Sequence, residues 1–63
     1  MSEMEAWEEA QGAFRVAGGA LEQALRLADD LPEYAEKWCA VAMDEIERGK
    51  QALMTAYLSQ VSA

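Results

Sequence analysis

The side chains able to do chemistry are few, and they are badly spaced for it. The 63 residues hold no histidine and a single cysteine, Cys39. Histidine is the usual general base near neutral pH, so the hydroxyls of Ser2, Thr55, Ser59 and Ser62 have no evident base to activate them. Cys39 is expected on a core seam opposite Ala24, where an unactivated thiol packs rather than attacks. Carboxylates are abundant, with twelve acids against five bases. The cluster Asp29, Asp30, Glu33 and Glu36 has neither the alternate spacing nor the central glycine of a calcium loop. A dinuclear carboxylate bundle needs Glu-x-x-His, and zinc needs more cysteine or histidine than the chain has. Gly18-Gly19 is followed by no Gly-Lys-Ser/Thr, so it cradles no phosphate. No catalytic residue, metal ligand or cofactor is expected, and the chain reads as a non-enzyme.

Size and charge narrow the remaining classes. Sixty-three residues make one domain, and a domain this small buries only about 60% of its unfolded surface. Such scaffolds lean on disulfides, a metal or a partner chain, and one cysteine closes no internal disulfide. Apolar residues make up 52% of the chain and proline occurs once, which argues against disorder. The net charge of −7 disfavours nucleic acid and anionic membrane as ligands. No apolar run approaches the roughly 18 residues of a spanning helix. The acidic stretch Glu3, Glu5, Glu8, Glu9 is unlike a secretory signal, so a cytoplasmic location is expected.

The elements follow from periodicity. Ala6, Ala10, Ala13, Ala17, Ala20 and Ala24 step by alternating fours and threes, the spacing of one helix face laid on another helix. Alanine is also the best helix former. Ser2 is a candidate N-cap, with Glu5 completing a capping box. Helix one is predicted over about residues 2–28, with Gly18-Gly19 as its weak point and a close neighbour as the ordinary reason for two glycines there. The turn is Asp29-Asp30-Leu31-Pro32, because the residue before proline leaves the helical region. Asp30 and Glu33 repeat the capping pattern, and helix two is predicted over about 32–60. Gln11-Arg15, Glu22-Arg26, Glu33-Lys37 and Asp44-Arg48 recur every eleven residues as i,i+4 pairs on a solvated face. Glu45, the one acid within helix two's apolar arc, reads most simply as a rim residue paired with Arg48.

Folded at that turn, the chain sets opposite each other residues whose numbers add to 63. Trp7 meets Ala56, Phe14 meets Gly49, and Leu21 meets Ala42. The offset layer reverses the sizes: Ala10 meets Leu53, Ala17 meets Ile46, and Ala24 meets Cys39. Large against small in both directions fills space without voids. The fold expected is all-α, an antiparallel hairpin of two long helices pairing as a homodimeric four-helix bundle.

Two apolar flanks remain. Ala6, Ala13, Ala20 and Leu27, with Tyr34, Trp38, Val41 and Ala52, are assigned to the dimer interface, the alanines allowing close approach and the aromatic rings anchoring it. Met4, Leu25, Met43, Met54, Tyr57 and Val61 are assigned to a partner protein, since methionine adapts its shape. The expected function is a small acidic protein-binding regulator of the bacterial or phage kind, inhibiting or adapting a larger host protein by occluding its surface. The alternatives are an acidic nucleic-acid mimic competing for a basic site, and a secretion-type chaperone or subunit of a helical assembly.

Overall fold

A computed structural model describes residues 2–62, and of Gln60 and Ser62 the backbone alone. The chain forms two helices, α1 (Glu3–Leu27) and α2 (Pro32–Ser62), packed side by side as an antiparallel hairpin. The rod measures 51 × 13 × 13 Å. Among the described residues no helix is long and apolar enough to cross a membrane.

Each end of α1 has a chemical cause. Ser2 is extended (φ −75°, ψ 163°), and its hydroxyl accepts a hydrogen bond from the Glu5 amide at 3.2 Å. Glu3 and Glu5 place negative charge at the positive end of the helix dipole. Removing the cap in Ser2→Ala is expected to cost about 1 kcal/mol, read as a lower urea midpoint; an unmoved midpoint would mean that the first turn contributes nothing to stability. At the other end the chain turns without glycine or positive φ. Ala28 keeps helical angles, and the Leu31 amide donates to the Leu27 carbonyl at 2.8 Å.

Pro32 then opens α2, where its fixed φ suits a first helical position and its missing N–H goes unused. The second capping box is not formed. The Leu31 carbonyl accepts from the Tyr34 and Ala35 amides at 3.0 and 3.1 Å, so Leu31, not Asp30, is the residue that caps the helix, and among the described residues the Asp30 side chain caps nothing. Helix two extends to Ser62, slightly past its expected end.

Gly18 and Gly19 do not break α1. They do not mark a close neighbour within the hairpin either, since a Cβ at either position, or at Gly12, would meet nothing within 4 Å. Gly49 is different. A Cβ there would fall 2.7 Å from Phe14 Cε1 and 2.8 Å from Cζ. The absent side chain is the space that the phenyl ring occupies.

The interior consists of small residues. Ten alanines are buried, six on α1 (Ala6, Ala10, Ala13, Ala17, Ala20, Ala24) and four on α2 (Ala35, Ala42, Ala52, Ala56), together with Gly49. Among the described residues no larger side chain is buried. Small facing residues let two helices approach closely, but each alanine removes little more than a methyl from water, about 0.8 kcal/mol against 1.5–3 for a leucine.

This seam corrects part of the expected dimer interface. Ala6 and Ala13 are 0% exposed, and Ala20 and Ala52 are nearly so. Their surface is already spent between α1 and α2, leaving none to offer a second copy. Cys39, expected on the buried seam, is exposed. It lies at the seam's edge, where helix rotation carries it past the contact line with α1.

Candidate functional site

With the alanines inside, sixteen large apolar side chains among the described residues stand outside. Two contacts orient them. The Phe14 ring lies against Gly49, so the row Trp7, Phe14, Leu21, spaced by two helical turns, leans over α2 from one side. Arg48 Nη1 lies 3.7 Å from Glu9 Oε1, so the row Glu9, Val16, Gln23 leans over from the other. At about 100° per residue, α2 contributes Cys39, Ile46 and Leu53 to the Phe14 side, and Tyr34, Trp38, Val41, Glu45, Arg48 and Thr55 to the Arg48 side.

The Phe14 face is an apolar stripe. Trp7, Phe14, Leu21 and Ile46 are 39–44% exposed, each seated on the alanine seam by one edge and bare on the other. The sequence pattern assigned these residues to the hairpin interior. What it missed is that Trp7, Phe14 and Leu21 each follow a buried alanine by one residue, and one residue is a rotation of about 100°. Such positions border a seam without lying in it.

The Arg48 face is divided. Arg48 Nε donates to Glu45 Oε2 at 3.0 Å, Nη2 donates to the same oxygen, and Nη1 reaches Glu9 on the other helix. Glu45 is therefore the rim partner of Arg48, as its position suggested, and Arg48 does not pair with Asp44. Nor does Lys37 pair with Glu33; its ammonium lies 5.4 Å from the Tyr34 ring centre, in range of a cation–π contact. Of the expected dimer residues, Tyr34, Trp38 and Val41 are exposed on this face, and Leu27 is half-buried near the turn.

All six residues expected to meet a partner protein are exposed, but they do not form one patch. Met4 and Leu25 border the Phe14 face from α1, and Met43 and Tyr57 border it from α2. Met54 and Val61 lie farther round, on the outer side of α2. Met54 and Tyr57 join Leu53 and Leu58 in lining a shallow, wholly apolar groove near the open end of the hairpin.

The hydroxyls are occupied locally. Ser2 caps α1, and Thr55 Oγ1 donates to the Gln51 carbonyl at 3.1 Å. Ser59 is half-buried, and the Ser62 side chain lies outside the described residues. Among the described residues, no three cysteine or carboxylate side chains are gathered as a metal would require. The site this geometry offers is an apolar surface: one continuous stripe on one face, and on the other an apolar surface split by an ion-pair cluster. Comparison with known proteins supplies no family, since no family model, no curated protein and no solved structure matches the chain.

Proposed function

We propose that this chain is a non-enzymatic protein-binding regulator, a homodimer of hairpins forming a four-helix bundle that occludes part of a larger protein's surface. The observation that supports this reading is the inversion of side-chain size between inside and outside. Among the described residues every buried one is alanine or glycine, while Trp7, Phe14, Trp38, Tyr57 and their aliphatic neighbours remain in contact with water. Contiguous apolar surface on a small chain marks a place where another chain sits, and an alanine seam alone gives a small domain little stability. One apolar area serves self-association. The exposed row on the outer side of α2, with Met54 at its centre, is free to meet a different protein.

Sedimentation equilibrium tests the first half of the proposal. The mass is expected to be twice the 6.9 kDa of one chain at micromolar concentration, and a folded monomer there would refute it. The second half is tested by Met54→Asp and Val61→Asp, both on the outer side of α2. Both are expected to weaken capture of the larger protein at least tenfold while leaving helix content unchanged, in keeping with the loss of a well-packed contact residue. Undiminished capture by both variants would remove this surface from the proposal.

A further inference from the structure

The two faces of the hairpin are unequal, and the inequality selects the one that pairs. We infer that a second copy of this chain docks on the Phe14 face, stacking Trp7, Phe14, Leu21, Cys39, Ile46 and Leu53 against the same residues of its partner. The inference rests on the proposed self-association and specifies its surface.

Three observations carry it. The first is charge. Each chain carries −7, so two copies repel unless they meet where acids are absent. The six central residues of the Phe14 face include no charged side chain; the charges at its border are Glu36, Lys50 and, at the open end, Glu3, whose carboxylate accepts a hydrogen bond from Trp7 Nε1 at 3.4 Å. The Arg48 face instead holds Glu9, Glu45 and Arg48 across its middle. Pairing there would strip water from an existing ion cluster, and that desolvation offsets much of the attraction gained.

The second is shape. Trp7, Phe14, Leu21 and Ile46 share nearly the same exposure, 39–44%. This is the state of a bundle core with one of its two layers in place; Trp38 and Val41 on the Arg48 face are equally exposed, so shape calls for a second layer and charge chooses the face that receives it. A twofold-related copy supplies the missing layer with the same residues. The third is area. The two helices run side by side over the 25 residues of α1, roughly 37 Å at 1.5 Å per residue; with 13 Å across the Cα atoms the face is about 480 Å2 in projection before side chains widen it, toward the lower end of the roughly 600–800 Å2 that each partner gives to a specific interface.

The decisive experiment compares two substitutions on the same helix. Ile46 and Val41 are equally exposed at 41%, but they stand on opposite faces. Ile46→Glu is expected to weaken dimerisation about 100-fold or more, because symmetry buries the new carboxylate twice. Val41→Glu is expected to leave it unchanged within about threefold. Sedimentation equilibrium across concentration reads both, with circular dichroism confirming the helices. The reverse pattern, or a dimer indifferent to both substitutions, would overturn the face assignment. A wild-type chain that is a folded monomer would overturn the self-association itself, so the two failures are distinguishable. Should Ile46→Glu fail to fold, the wild-type protein still decides. Cys39 lies on the Phe14 face and is exposed in the single hairpin, so its alkylation by iodoacetamide is expected to slow at least tenfold over the concentration range in which the mass doubles. A rate unchanged across that range would exclude the Phe14 face.

Discussion

Gly49→Leu is expected to lower the stability of the hairpin by about 2 kcal/mol, although leucine is the better helix former by nearly 1 kcal/mol. A Cβ at position 49 meets three atoms of the Phe14 ring, the nearest at 2.7 Å. An alanine there displaces only the end of a half-exposed side chain, which can swing outward. A leucine adds a branched group in the space that the ring would vacate, and overfilling a close-packed contact costs typically 1–3 kcal/mol. Phe14→Ala alone is expected to cost a similar amount by uncovering the seam. The double variant should be less damaged than the sum of the two by at least about 1 kcal/mol, because the leucine fills what the phenyl leaves. Urea unfolding at one fixed protein concentration reads the cycle, since association makes stability depend on concentration. Strict additivity would show that Phe14 and Gly49 do not oppose each other, and the register of the hairpin would fall with it.

That contact is legible in the sequence, and the reason is physical. Pro32 fixes where the chain reverses, which leaves one free variable, the register. The opposition of Phe14 to Gly49 then follows from matching the bulkiest side chains of one arm to the smallest of the other. The Ser2 cap was readable for a similar reason, because it depends on a hydroxyl and an amide three residues apart. Finer questions of direction were not readable. Size matching places Ala6, Ala13 and Ala20 on a flank and Ala10, Ala17 and Ala24 in the seam, yet both series are buried together. Steps of three and four residues separate the two series by only about 40–60° of rotation, too little for them to face different neighbours once small side chains bring the helices close.

The ion pairs are legible only in part: Glu45 reads as the rim partner of Arg48 and is so in the structure, whereas Asp44, read as an i,i+4 partner of the same arginine, is not. Arg48 has acids three and four residues before it, at Glu45 and Asp44, and spacing alone does not choose between them. Glu9, on the other helix, enters the cluster through tertiary packing. The assignment of faces failed at the same level. A residue one step beyond a buried alanine looks like core when sizes alone are matched, and like an edge once its rotation about the helix is counted. Trp7, Phe14 and Leu21 are such residues, and on their position depends the difference between a sealed hairpin and one that presents a bare stripe to a second chain.

Gly12→Ala and Gly19→Ala are each expected to stabilise the fold by about 1 kcal/mol, the difference in helix propensity between the two residues. Both glycines lie within α1, neither has positive φ, and a Cβ at either would meet nothing within 4 Å. The gain arises in the unfolded chain, which loses more freedom when a glycine is ordered than when an alanine is. For a domain of this size, about 2 kcal/mol from the pair should raise the thermal midpoint by roughly 10 °C. Both positions turn away from the Phe14 face. Gly18 has equally open surroundings within the hairpin, but it borders that face, where a methyl would stand against the second copy. Gly18→Ala is therefore expected to stabilise less than Gly19→Ala when the dimer is populated, and equally when the protein is diluted to monomer. Calorimetry at high and low protein concentration reads the contrast. A fall in midpoint for Gly12→Ala or Gly19→Ala would mean that another chain approaches α1 from the side opposite to the one inferred, since within the hairpin nothing else occupies that space.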